Sequence, residues 1–375
     1  MTTFVRTHSF RFAALCSLLG FAAITGCGDT GETAATSTGR PGTGGSGGVL
    51  TGVGGGGGEG GATTTSSSST GMGGAGGVQV KLGPPYPIVL AHGFFGFNDF
   101  AGAGFLSYFY NVKNYLAAKG ELLVFTPAVD PFNTSDFRGA QLTEEIEKIL
   151  KATGHEKVNI IGHSQGGLDA RVVANLRPDL VASVVTVATP HGGSRVADVV
   201  LKLVADPNAQ EALNDLLVLI GAPLFDQIGN ETNVVLPLKL FSQEGIAAFN
   251  KAHPDEPGVF YASVGARTDL SLGGSVCNAD VDLPFIKDWQ NKLDVVDPAL
   301  SVFNTILDGS IIDPQPNDGL VRVVDSKRGE FWGCLPADHL DEIGQLFGDS
   351  PGLGNSWEYQ AFYASVIAEL RKRGF

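Results

Sequence analysis

Ser164 lies between Gly162 and Gly166 at the end of the apolar run Val158–Ile161, and the chain resumes after it at helical spacing. Small residues on both sides of a serine let the backbone double back from strand to helix, which lifts the hydroxyl clear of a sheet. The chemistry open to such a hydroxyl is nucleophilic attack on an acyl carbon. It needs a base, an acid that orients the base, and backbone N–H donors for the oxyanion that develops. Gln165, at the helix start, offers one N–H. Phe94, in the loop Ala91–Gly96 after the first apolar run, offers the second.

The base must come late, because the chain order around a strand–serine–helix turn of this kind is serine, acid, histidine. His92 and His191 follow apolar runs, and His163 flanks the serine with its side chain expected to turn away. His155 and His253 sit in polar, turn-like surroundings ahead of any suitable acid. His339 is the one in place. Asp318, in Asn317–Val321, enters an apolar run from a tight turn and is the expected acid, with Asp313 and Asp325 as nearby rivals. Asn-Asp-Gly is also an ordinary turn sequence, so position carries the choice. Asp318 would hold the tautomer of His339 without taking the proton itself. Phe94, Phe95 and Phe97 either line an acyl groove or pack in a core.

Elements must bring these residues together. Short apolar runs at Ile88–Ala91, Glu121–Phe125, Val158–Ile161 and Val181–Val187 are separated by helical patterns such as Gly139–Ala152, and Tyr359–Lys372 closes the chain in the same manner. Continuous apolar strands alternating with helices predict an α/β fold with a mostly parallel central sheet and helices on both faces. The leucine-rich stretch over about residues 194–240 is either a lid over an apolar pocket or a set of permanently packed helices.

The front of the chain is of another kind. Arg6 and Arg11 precede the apolar stretch Phe12–Ile24, too short to span a bilayer and suited to a signal peptide over residues 1–27. Ile24-Thr25-Gly26-Cys27 resembles a lipobox, which would make Cys27 a lipidation site and anchor the exported protein to a membrane; an ordinary signal peptide cut nearby is the alternative. Residues 28–77 are almost entirely Gly, Ser, Thr and Ala and predict a disordered tether, because they cannot bury enough apolar surface to offset ordering. Residues 78–375 remain as one catalytic domain. Two cysteines fall in it, Cys277 and Cys334, and in an exported domain they are expected to pair. The net charge of −14 and the lack of a basic patch argue against a nucleic-acid partner.

These residues together resemble the bacterial true lipases of family I, calcium-dependent triacylglycerol lipases of the α/β-hydrolase superfamily. The resemblance runs through Tyr86–Gly93, Val158–Arg171, Ala188–Ser194, Ser242–Asn250, Asn317–Val321 and His339–Gly348. It implies an α/β-hydrolase fold with a helical lid insertion, ester cleavage through an acyl-enzyme, and acylglycerols at a lipid interface as substrates. It implies a dedicated foldase as a partner, and no organic cofactor. It also implies a structural calcium ion held by Asp297, Asp341, Gln345 and Asp349, an all-oxygen set suited to a hard cation. A short-chain carboxylesterase or polyester depolymerase would use the same three side chains. A non-catalytic lipid-binding surface module would lack one of them.

Overall fold

The computed structural model describes residues 81–94, 108–205, 235–268, 274–298, 300–308, 315–344, 351 and 355–375. The expected signal peptide with Cys27, the tether, Phe95, Phe97, residues 206–234 of the expected lid, Asp313, Gln345 and Asp349 lie outside them.

Six strands form one sheet: β1 (Ile88–Ala91), β2 (Val124–Phe125), β3 (Val158–His163), β4 (Val181–Val187), β5 (Phe260–Ala266) and β6 (Glu330–Leu335). Their order is β2-β1-β3-β4-β5-β6 and every pairing is parallel. Alternate residues serve opposite faces. Ile88, Leu90, Ile161, Val185 and Val264 pack with Val112 and Leu116 of helix α1 (Val112–Ala118) and with Tyr363, Val366 and Ile367 of the C-terminal helix Tyr359–Lys372. Val89, Ile160 and Val184 face the other way, against Leu142, Ile146 and Leu150 of α2 (Ser135–Thr153) and Ala170 and Val173 of α3 (Gln165–Leu176). Helices therefore cover both faces, which is why these strands are apolar throughout rather than alternating.

Helix α2 runs longer than its expected core, from Ser135, and ends where Gly154 turns left-handed with φ 76°. One strand expectation changes. The run Glu121–Phe125 keeps only Val124 and Phe125 in the sheet, since Leu122 is exposed and β1 offers partners only to the last two residues. The apolar run after Asp318 forms no strand, because the Asp318 carboxylate captures the N–H groups of Leu320 and Val321 in a turn. The sixth strand is Glu330–Leu335.

A helical insertion sits between β4 and β5, in the position of a cap. Its described helices are α4 (Arg195–Val204), α5 (Val235–Phe241) and α6 (Gln243–Ala252). Leu240, Phe241, Ile246 and Phe249 pack onto Leu168 and Val172 of α3, and Val196 and Val200 onto Leu300, Phe303 and Leu307. These ends of the insertion are thus joined to the core.

Cys277 and Cys334 form a disulfide across 57 residues. It joins β6 to the segment ahead of Asp280, whose N–H and carboxylate bond the carbonyl and N–H of Phe331 along the outer side of β6. Among the described residues no helix is long and apolar enough to cross a membrane.

Candidate active site

The parallel sheet delivers Ser164 at the tip of β3, between that strand and α3. Its φ of 54° and ψ of −128° are a strained conformation for a side-chain-bearing residue, kept only where surroundings over-determine it. They do so here: the Ser164 N–H bonds the Val187 carbonyl at 2.9 Å, and close approach fixes the flanking glycines. A Cβ on Gly166 would lie 2.1 Å from the Ala91 carbonyl oxygen, and one on Gly93 would lie 2.7 Å from the Ser164 Cβ. The loop after β1 therefore runs directly against the serine.

Asp318 and His339 are bonded to each other twice. His339 Nδ1 lies 2.9 Å from Asp318 Oδ2, and the His339 N–H also donates to the Asp318 carbonyl at 2.9 Å. Asp318 Oδ1 accepts from Leu320 and Val321, so one oxygen builds the turn while the other faces the imidazole. Both residues are buried. The rings of His339 and His163 stand 4.6 Å apart, and His163 immediately precedes Ser164. Of the rival acids, Asp325 is held by Arg322.

The segment bearing Phe94 is anchored from below. Arg138 of α2 donates from Nη2 to the carbonyls of His92 at 2.6 Å and Gly93 at 3.2 Å, and its Nε donates to Asp169 of α3 at 2.8 Å. Neither member of this ion pair is exposed, and burial pushes the Asp169 carboxyl up to about 6 in spite of the guanidinium. His92 accepts from the Val129 N–H at Nε2, which leaves the proton on Nδ1 facing the Gly93 carbonyl. Burial, with Arg138 second, holds its pKa down at about 3, so the ring stays neutral. The Gln165 side chain points away, donating to the Asn133 carbonyl at 2.8 Å.

The His163 ring is engaged at both nitrogens. The Tyr108 hydroxyl bonds its Nδ1 at 2.7 Å, and Nε2 meets Glu342 at 2.8 Å, all within the core. Burial drives His163 well below its usual range and Glu342 well above its own, with Asp318 the second cause at Glu342. Sequence reading missed this pair. Its members are 179 residues apart, and only the placement of Glu342 in the His339 block points to it.

Asp294, Asp338 and Asp341 are buried and each turns one oxygen to within 4.8 Å of the others. Asp341 was expected there; Asp294 and Asp338 were not, although one directly precedes His339 and the other lies three residues before Asp297. Asp297 is adjacent, its N–H donating to Asp338 Oδ2 at 2.9 Å. Burial, with Asp297 and Asp294 adding to it, pushes Asp338 up to about 7. A converging all-carboxylate set of this kind fits a hard divalent cation.

Comparison with known proteins agrees with this architecture. The alpha/beta hydrolase fold family matches residues 86–217. A triacylglycerol lipase of Vibrio cholerae is 32% identical over 268 residues, covering 70% of this chain and 81% of that protein. A triacylglycerol lipase of Pseudomonas fragi is 33% identical over 277 residues, covering 70% of this chain and 88% of that protein. Among solved structures, EstA from Clostridium botulinum superposes with a TM-score of 0.51 at 18% identity, over 78% of this chain and 88% of that one. That last likeness concerns the fold.

Proposed function

The chain belongs to the α/β-hydrolase superfamily, among lipases and esterases, and on that premise we propose that it is a serine hydrolase that cleaves long-chain acylglycerols through an acyl-enzyme. The observation that carries this reading is the Asp318–His339 contact of 2.9 Å, formed beside the strained turn that presents Ser164.

In the mechanism we infer, His339 takes the Ser164 proton as the hydroxyl oxygen attacks the ester carbonyl. Asp318 keeps the Nδ1 proton of His339 in place and stabilises the imidazolium. The carbonyl oxygen becomes an oxyanion facing the N–H groups of Phe94 and Gln165. His339 then returns its proton to the leaving alkoxide, so the alcohol departs and the acyl group stays on Ser164. Water, deprotonated by the same imidazole, releases the fatty acid by the reverse sequence.

A calcium ion would be held by Asp294, Asp338 and Asp341, with Asp297, Gln345 and Asp349 as the ligands that family resemblance supplies. Its chemistry there is charge compensation. The same residues then fix the 338–341 segment that carries His339. Export on a signal peptide, lipidation at Cys27 and maturation by a foldase complete the proposal. The likeness to triacylglycerol lipases of Vibrio cholerae and Pseudomonas fragi supports the substrate class, and the helical insertion stands in the position of a cap.

The test is a panel of esters from short to long acyl chains, run with and without a chelator and beside Ser164→Ala. Long-chain preference with chelator sensitivity is expected. Activity confined to short soluble esters would turn the reading to a carboxylesterase, and undiminished Ser164→Ala activity would end it.

A further inference from the structure

The Ser164 carbonyl and the Gln165 N–H belong to one peptide unit. That unit is planar and trans, so the two groups point in opposite directions and neither can rotate alone. Whatever grips the carbonyl therefore aims the N–H. Two donors grip it: the Gly167 N–H at 3.1 Å, from the first turn of α3, and the Thr189 hydroxyl at 2.8 Å, from the loop after β4.

Three features place Thr189 for this. It is wholly buried. Ala188 before it adopts φ 47°, one of three non-glycine residues with positive φ among those described, while its N–H is tied to the Val264 carbonyl at 2.9 Å. A backbone held out of its preferred region at a buried site is a marker of constraint. Gly167 opposite makes room: a Cβ there would lie 2.0 Å from Thr189 Oγ1, so the hydroxyl occupies the space a side chain would need. With the Val187 carbonyl holding the Ser164 N–H, both polar backbone groups of the serine are bonded to the end of β4.

We propose that Thr189 is a positioning residue for ester cleavage: its hydroxyl, by holding the Ser164 carbonyl, directs the Gln165 N–H at the oxyanion. This rests on the serine-hydrolase reading above. A threonine that merely filled space would be replaced by valine without loss, whereas an aiming hydroxyl would not.

The experiment compares Thr189→Val, Thr189→Ala and Thr189→Ser with the parent on p-nitrophenyl butyrate. It adds inhibition by an alkylboronic acid, whose trigonal boron bonds the Ser164 oxygen and becomes a tetrahedral anion resembling the intermediate. Thr189→Val is expected to lower kcat about tenfold with KM within about twofold, and to weaken the boronic acid by a similar factor. Thr189→Ser should restore both. Thr189→Ala removes the hydroxyl without any risk of a clash, so it decides the matter if the valine variant fails to fold. Unchanged kcat in Thr189→Val or Thr189→Ala overturns the proposal. So does a fall in kcat with boronic acid affinity intact, or a serine variant as impaired as the valine one. Ser164→Ala run alongside separates the two levels: if it stays active the hydrolase reading fails, and if it is dead while Thr189→Val is unaffected only the positioning role fails.

Discussion

Arg138 and Asp169 meet at 2.8 Å with neither side chain exposed, so the helix that follows Ser164 is bonded through one guanidinium to the carbonyls of His92 and Gly93. Removing one partner of a buried pair strands the other charge. Asp169→Ala is expected to cost about 3–5 kcal/mol in urea unfolding. Arg138→Met combined with Asp169→Leu should recover most of that stability but not kcat, because the guanidinium bonds to the carbonyls of His92 and Gly93 are then lost. Full recovery of kcat in the double variant would show that the pair is structural alone.

Asp318→Asn keeps the shape of the turn and withdraws the charge facing His339. Turnover should fall on the order of 10³–10⁴-fold with KM little changed. The same substitution at Asp325, which Arg322 already occupies, should leave turnover within about twofold of the parent. Equal losses at the two positions would misassign the acid.

Acid should destabilise the protein through His92. Its folded pKa is held at about 3, below the 6.5 of an ordinary histidine, so the unfolded chain binds the proton first as pH falls. The stability it contributes is present above 6.5 and is lost as pH drops toward 3. The buried carboxyls of Asp169 and Asp338, raised to about 6 and about 7, titrate in the opposite sense, so the informative quantity is a difference between proteins. His92→Gln is expected to lower the slope of unfolding free energy against pH by about 1.4 kcal/mol per pH unit between pH 6 and 4. Parallel profiles for the two proteins would contradict the neutral ring.

Calcium should raise the melting temperature of the parent, by an amount equivalent to about 2.7 kcal/mol at a hundredfold excess over Kd. Asp341→Asn or Asp338→Asn should abolish most of that rise. A calorimetric scan in chelator and in calcium measures it, and identical scans for the parent would remove the ion from the account.

The Cys277–Cys334 bridge closes a loop of 57 residues. Chain entropy puts its contribution at roughly 4 kcal/mol, so the Cys277→Ser, Cys334→Ser variant should unfold at correspondingly lower denaturant. Its loss should fall on stability more than on KM, because the bridge braces β6 and packs with Val276, Val323 and Phe331.

What could be read in advance follows the range of the interactions. Ser164 was legible because strand, turn and helix are written within a dozen residues. The contact of Asp318 with His339 was legible because chain order restricts where an acid and a histidine could pair. The helix Tyr359–Lys372 was legible from apolar spacing. Contacts between distant segments left no such trace. Glu342 looks like any helix-start acid until His163 is found against it, and Asp169 looks like a polar residue on an amphipathic helix until Arg138 arrives from α2. Asp338 reads as a loop residue until Asp294 comes alongside. Strand β6 was hidden for a different reason: Gly333 in its interior has no side chain to pack and reads as a turn residue.

The two margins of the sheet have a consequence beyond the reaction. On one side β2 is two residues long, and on the other Asp280 already bonds the outward N–H and carbonyl of Phe331. Exposed strand margins are where one folded copy recruits another into a growing stack. With one margin two residues long and the other bonded at Phe331, little unpaired strand is left for a second copy to extend.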